Sequence, residues 1–291
     1  MFVVTGASGQ LGRRIVENLL LHVPAASIGV SVRDTAKAGD LQTQGVRVRS
    51  GDYDDARSLR HAWEGARRIL LVSSNAAATG GDPLKQHATA ISVARDLGVE
   101  RIFYTSQVSS ASISLFPPGR DHAATETMLA GSGLAWTAMR HGFYSASALM
   151  MNRRGFNAGM LSAPEDGKVA WTTHDDLAAV DAVLLAGSHV IDGPTPPLTG
   201  GEALDLSDLA EVAGKLMGKP ILRNVVGQEE MEANARLASV PKGLIDVMLG
   251  YYQAARAGEF QTVDPTLARI LGRAPQNMRE FLKAKLAESV G

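Results

Sequence analysis

Over the first half of the chain, short apolar runs alternate with amphipathic stretches. Residues 2–4 are apolar. Leu11, Ile15, Leu19 and Leu20 then recur at helical spacing, with Arg13, Arg14 and Glu17 between them. That pattern predicts a buried strand, a turn and an amphipathic helix. The alternation continues, with strands expected over 26–33, 46–49, 68–72, 101–105 and 134–139. Helices are expected over 35–44, 55–65, 84–97 and 121–130, with Gly98 as a stop signal. Residues 106–120, rich in Ser and Pro, read as a loop. Strands and helices alternating across short turns predict a parallel, doubly wound sheet.

Past about residue 150 the pattern is irregular, broken by Gly155, Gly159, Pro164 and Gly167. Strands are expected over 168–173 and 221–226. Helices are expected over 175–185, capped by Asp175, and over 207–217, capped by Ser207. Further helices are expected over 229–237, 241–257 and 277–288. The fold class expected is α/β: a Rossmann-type doubly wound parallel sheet with a small mixed α/β C-terminal lobe. The domain occupies 1–150 and the lobe 151–291, the elements of the lobe interleaving with the main sheet.

The first turn carries the chemistry. Gly6, Gly9 and Gly12 lie between strand and helix with Gly-x-x-Gly-x-x-Gly spacing. In a dinucleotide fingerprint one glycine makes the tight turn, one admits the pyrophosphate and one lets the helix pack closely. The N–H groups and dipole of the helix N-terminus favour phosphate. Gly6, Ala7, Ser8, Gly9, Gln10, Leu11 and Gly12 are therefore candidate cofactor residues.

Composition narrows the classes. The chain has 291 residues, 45% of them hydrophobic, with 29 basic and 30 acidic residues and a net charge of −1. That is enough chain for a full core. The charge balance leaves no basic excess to neutralise a nucleic-acid backbone. With no cysteine, disulfides, thiolate catalysis and cysteine-ligated metal are excluded. His87, His122 and His141 lack ligand spacing, so no metal site is expected. No apolar run approaches a membrane span, and a cytoplasmic protein is expected.

Other candidates lie at strand ends. Arg33 stands about twenty residues beyond the glycines, where ribose specificity is set. Its planar fork suits a 2′-phosphate, so NADP(H) is expected and NAD(H) is the lesser alternative. Asp34, which follows, could instead present a carboxylate. Asp52 ends the third strand, where it would accept from the adenine amino group or cap the next helix. Ser73, Ser74 and Asn75 end the fourth, along the path of ribose and pyrophosphate.

A short-chain reductase would carry Tyr-x-x-x-Lys to supply a proton. The tyrosines here are followed four residues later by Arg57, Val108, Ala148, Ala255 and Arg256. An acceptor that takes hydride without a strong protein acid fits better: a quinone, whose reduced anion is aromatic, or a cationic dye. His122, with Glu126 one turn on, and Tyr144 are the weak catalytic candidates, and His141 is weaker as an acid.

Thr-Gly-Ala-Ser-Gly-Gln-Leu-Gly at 5–12, Gly-Asp-Tyr at 51–53, His-x-x-Thr-Glu at 122–126 and Arg-x-Gly-x-Tyr at 140–144 together resemble the NmrA-like atypical short-chain dehydrogenases/reductases. The resemblance covers nearly the whole chain. It implies NADPH as hydride donor and a quinone or dye as small-molecule acceptor, with no nucleic-acid or membrane partner and a homodimer left open. It also implies that Gly6 to Leu11 hold pyrophosphate and Arg33 the 2′-phosphate. Ser73 to Asn75 would follow the ribose, and His141, Gly142, Phe143 and Tyr144 would lie beside the nicotinamide. His141 departs from the Asn of the resembling proteins. The family also includes redox-sensing regulators that bind NADP without turnover, and this is the alternative function.

Overall fold

The computed structural model describes residues 1–187 and 191–287. The chain forms two compact units. The first comprises Met1–Gln107, Asp121–Arg140 and His174–Pro196. The second comprises Val108–Arg120, His141–Thr173 and Pro197–Gly291. The sequence reading divides the chain at 150 with elements of the lobe interleaving with the main sheet; the units here draw on alternating segments of the chain.

The first unit opens with β1 (Phe2–Thr5) and α1 (Gln10–Leu19), then β2 (Ile28–Val32), α2 (Gly39–Thr43), β3 (Arg47–Ser50), α3 (Ala56–Trp63) and β4 (Arg68–Leu71). After these come α4 (Pro83–Asp96), β5 (Arg101–Gln107), α5 (Pro117–Ala130) and β6 (Ala135–His141). The expected strands and helices are present, with ends moved by a few residues, and α5 begins inside the stretch read as a loop. The apolar stripe of α1 buries Leu11, Ile15, Val16 and Leu19, and α3 buries Leu59, Ala62 and Trp63. The α3 side chains share one core with Val3, Ile69, Leu71, Ile102 and Tyr104 of the strands, and the α1 side chains are buried as well.

Farther along come α6 (Ser145–Ala158), β7 (Met160–Ala163), α7 (His174–Ala186) and the two-residue β8 (Gly193–Pro194). The main sheet has the order β3-β2-β1-β4-β5-β6-β8. Its β1–β2, β1–β4, β2–β3, β4–β5 and β6–β8 pairs are parallel. The strand order reverses at β1, which lies between β2 and β4.

The third segment rejoins the first unit for visible reasons. Arg14 on α1 pairs with Asp175 on α7 at 2.5 Å. Arg68 at the start of β4 donates to the Leu185 and Gly187 carbonyls, both at 2.7 Å. The helix starts at His174, so Asp175 lies in its first turn and is not its cap.

The second unit holds α6 and β7, then α8 (Leu206–Met217), β9 (Leu222–Val225), α9 (Gln228–Leu237), α10 (Lys242–Arg256), α11 (Thr266–Leu271) and α12 (Met278–Ala287). Residue 288, at the end of the last expected helix, lies outside the described residues. β7 and β9 form a two-stranded parallel sheet. Phe156, Leu161, Trp171, Leu209, Tyr251, Phe260 and Leu282 share one apolar core.

Three local expectations are corrected here. Asp205, not Ser207, caps α8, through a reciprocal capping box with Asp208. Residues 168–173 form no strand and make only isolated bridges at Val169 and Thr172. Gly155, read as a breaker, lies inside α6. A Cβ there would fall 2.6 Å from the Met160 carbonyl oxygen, so the glycine lets β7 approach the helix.

Candidate functional site

In an open parallel sheet the ligand crevice lies beyond the carboxyl ends of the strands, where the order reverses. Here that point is bounded by the turn after β1 and the loop after β4. Gly6 has φ +63°, which its lack of a Cβ permits, and its N–H donates to Ser31 O at 3.1 Å. Gly9 donates to Gly6 O at 2.9 Å and occupies the N-cap of α1 without a side chain to satisfy the first-turn N–H groups. A Cβ on Gly12 would lie 2.4 Å from Gly6 O and 2.7 Å from Gly6 C. The helix therefore rests directly on the turn. Ser8, Gly9 and Gln10 are exposed, while Ala7, Leu11 and Gly12 are buried beneath them. Backbone donors on an open face above a glycine-only contact fit a pyrophosphate.

The loop after β4 is tied down by its amides. Three consecutive backbone N–H groups donate to side chains of three other elements. Val72 donates to Thr5 Oγ1 at 2.8 Å, Ser73 to Thr105 Oγ1 at 2.8 Å, and Ser74 to His87 Nε2 at 2.9 Å. The Ser74 hydroxyl donates to Gln86 Oε1 and accepts from the Ala76 N–H. Asn75 is exposed. The β1 turn and the β4 loop, both expected as cofactor residues, thus come together through Thr5.

At the outer edge, Arg33 is exposed and has no carboxylate partner among the described residues. Asp34, its rival, is committed elsewhere: its Oδ1 accepts from the Ala36 N–H at 3.1 Å and caps the turn that follows. Tyr53 contacts the Thr5 hydroxyl and donates to Val72 O at 2.8 Å. Burial raises the Tyr53 phenol above its ordinary value, with the Thr5 hydrogen bond and the Arg33 charge opposing it. In the sequence Tyr53 figures as part of Gly-Asp-Tyr and as the tyrosine four residues before Arg57, and neither pattern reveals that its hydroxyl braces the switch point. Asp52 does not cap α3; Asp55 does, accepting from Arg57 N at 2.9 Å. Asp52 Oδ1 accepts from Asp54 N at 3.0 Å in a local turn.

The other candidates fall into two groups. In the first unit, His122 Nδ1 lies 2.7 Å from Tyr104 Oη. Glu126 is buried in a bidentate pair with Arg140 at 3.1 and 2.6 Å and also accepts from Ser106 Oγ at 2.6 Å. This carboxylate is held between a guanidinium and a hydroxyl, which fixes its position in the fold. In the second unit, residues 141–145 run between 172 and 198. Gly142 N donates to Leu198 O, Thr172 N to Phe143 O and Ser145 N to Thr172 O, at 2.8, 2.8 and 2.9 Å. A Cβ on Gly142 would fall 2.3 Å from Thr172 Oγ1. His141 and Gly142 are buried, whereas Phe143 and Tyr144 keep partial exposure, and His141 Nδ1 lies 3.5 Å from Tyr144 Oη. Phe143 packs in tilted and edge-on contacts among Phe116, Trp171, Tyr251 and Phe260, with ring centroids 5.0–5.6 Å away. Among the described residues no cluster of three ligating side chains could hold a metal. No helix among the described residues is long and apolar enough to cross a membrane.

A doubly wound parallel sheet with a glycine turn at its switch point defines a dinucleotide-binding α/β protein. Residues 6–186 match the model of the family described as NAD(P)H-binding, and the chain belongs to that family. It is 34% identical to quinone oxidoreductase 2 of Escherichia coli over 96% of both chains. It is 27% identical to the NAD(P)H azoreductase of Xenophilus azovorans over 99% of this chain and 98% of that one. The crystal structure of the E. coli NADPH-dependent quinone oxidoreductase with NADPH superposes with a TM-score of 0.91 at 32% identity, covering 98% of this chain and all of that one. That of the Citrobacter sp. triphenylmethane reductase with NADP(H) gives 0.88 at 28% identity, covering 98% and 99%.

Proposed function

We propose that this protein is an NADPH-dependent reductase that transfers hydride to a quinone or a similarly flat, electron-poor acceptor, without a Tyr–Lys proton relay. The observation that carries the reading is the edge of the switch point. Arg33 stands exposed and without a carboxylate partner among the described residues, while Asp34 spends its carboxylate on the chain. A cation there selects for a 2′-phosphate; a carboxylate would select a free ribose hydroxyl. Residues 6–12 would hold the pyrophosphate on backbone donors. The bound dinucleotide supplies the hydride.

The missing relay has structural support. On α5, His122 and Glu126 lie four residues apart against Tyr104 and Ser106 of β5, and Glu126 is locked to Arg140 and Ser106. No lysine stands there to lower the pKa of a neighbouring acid. The names of the quinone, azo and dye reductases given above agree with an acceptor that needs none.

Steady-state oxidation of NADPH with a panel of quinones and a triphenylmethane dye tests the proposal. Turnover with at least one acceptor, and weaker use of NADH, is expected. Tight NADPH binding with no turnover on any acceptor would overturn it in favour of a cofactor-sensing regulator.

A further inference from the structure

We infer that His87 is a positioning residue for the cofactor, its Nε2 accepting the Ser74 N–H and so setting the path of the loop after β4. This rests on the cofactor reading above. It adds a residue that lies on α4, away from the glycine turn, and that the sequence offered only as a non-ligand.

The hydrogen bonds have one consistent direction. Ser74 N–H is a donor that cannot be reversed, so Nε2 carries no proton. A neutral ring then keeps its proton on Nδ1, 2.8 Å from Thr125 Oγ1. The Thr125 hydroxyl is able to accept it because its own proton goes to Asp121 O at 2.9 Å. Burial favours the neutral ring. His87 is 2% and Thr125 0% exposed, and the imidazole packs edge-on to buried Tyr104 at 5.3 Å. Burial lowers its pKa to about 4, against a small opposing effect of Asp82.

Gln86, the preceding residue, takes the Ser74 hydroxyl and donates from Nε2 to Asp54 Oδ2 at 2.6 Å. Two adjacent residues near the start of α4 thus hold Ser74 by main chain and side chain, and reach the turn that carries Asp52. The amide edge of residues 72–74 is wholly consumed by Thr5, Thr105 and His87. Residues 72–74 therefore have no backbone N–H left to offer a ligand. Of the three clamps, only His87 depends on a proton being on the right atom.

The test uses side chains that keep one half of the imidazole. Gln can place an acceptor near the Nε2 position, and Asn can place a donor near the Nδ1 position. His87→Gln should keep the KM for NADPH within about threefold of wild type, and His87→Asn should raise it about tenfold. In both variants kcat with a quinone should stay within about twofold, since no reacting atom is touched. Thr125→Val, of the same shape, removes the Nδ1–H acceptor and should raise KM as His87→Asn does. In the ¹⁵N spectrum of the apo protein, His87 should show the Nδ1–H tautomer near neutral pH. The inference is overturned if Asn and Gln behave alike, if Thr125→Val leaves KM unchanged, or if the Nε2–H tautomer is seen. Direct titration of wild type with NADPH separates the levels. If wild type binds and the variants bind equally well, only the role of His87 falls. If wild type does not bind, the cofactor reading falls and His87 with it.

Discussion

The contact between Gly12 and the β1 turn makes a sharp distinction between two glycines of one motif. In Gly12→Ala the new Cβ would lie 2.4 Å from the Gly6 carbonyl oxygen and 3.1 Å from Ala7 N. That is about 1 Å short of an ordinary carbon–oxygen contact. The obstacle is backbone, so no rotamer relieves it. Overpacking of this kind costs about 1–3 kcal/mol, here at the upper end. Alanine returns up to about 1 kcal/mol of helix propensity, leaving about 2 kcal/mol of destabilisation. With an unfolding entropy of about 2.1 cal/mol/K per residue, that is a fall of about 3 °C in thermal midpoint for a chain of this size. Gly9 differs. Its Cβ would meet only Gly6 O at 3.3 Å, and its φ of −92° suits any residue. Gly9→Val should melt within about 2 °C of wild type and lose NADPH binding, because its side chain stands over the exposed first turn of α1. Differential scanning calorimetry with a fluorescence titration of NADPH reads both quantities on the same samples. An unshifted midpoint in Gly12→Ala, or intact NADPH affinity in folded Gly9→Val, would refute the assignment of one glycine to packing and the other to phosphate approach.

Three further outcomes are expected. Arg33→Ala should lose about 1.5–3 kcal/mol of NADPH affinity, roughly ten- to hundredfold, and little NADH affinity; titration with both cofactors checks this. His87 titrates lower in the folded protein, at about 4, than the 6.5 of a free histidine. The unfolded chain therefore binds the extra proton between these values, and the contribution is intact above pH 6.5 and lost as pH falls toward 4. It amounts to about 3 kcal/mol, so urea midpoints should fall over that window more in wild type than in His87→Gln. His122→Ala and Tyr144→Phe should each cost less than about a hundredfold in kcat with a quinone; a thousandfold loss, with loss of a bell-shaped pH profile, would assign a proton donor.

Most of the sheet was legible because β1, β2 and β4 are apolar runs and β3 alternates, and α1, α3 and α4 because their stripes are regular; the two-residue β8, at a glycine and a proline, carries no strand pattern and was not expected. The place of Arg33 just beyond the end of β2 was legible from the apolar run that precedes it. The second unit was harder to read. Val169, Ala170 and Trp171 are buried as a strand would be, but they are core residues of an irregular segment with bridges and no ladder. Gly155 looks like a breaker in any window, and its reason lies in the approach of β7. His87 could not be found by spacing, since its partners stand 13 and 38 residues away. The partner of the Asp34 carboxylate, the Ala36 N–H, is seen only in the structure; ordinary turn chemistry makes that contact plausible but does not require it.

The last segment of the first unit bears on how such a chain can be made and altered. The outer strand of the main sheet, β8, and the helix paired with α1 arrive only after the chain has traversed residues 141–173 of the other unit. Thr137 Oγ1 waits for Ile191 O, and the Arg140 N–H for Thr195 Oγ1. During synthesis, the nucleotide-binding half therefore stays unfinished until about residue 196 has left the ribosome. A gene fragment ending near 150 would encode a sheet with an open edge. Recombination between relatives should accordingly succeed when crossovers respect three segments, and fail when the chain is treated as two cassettes joined end to end.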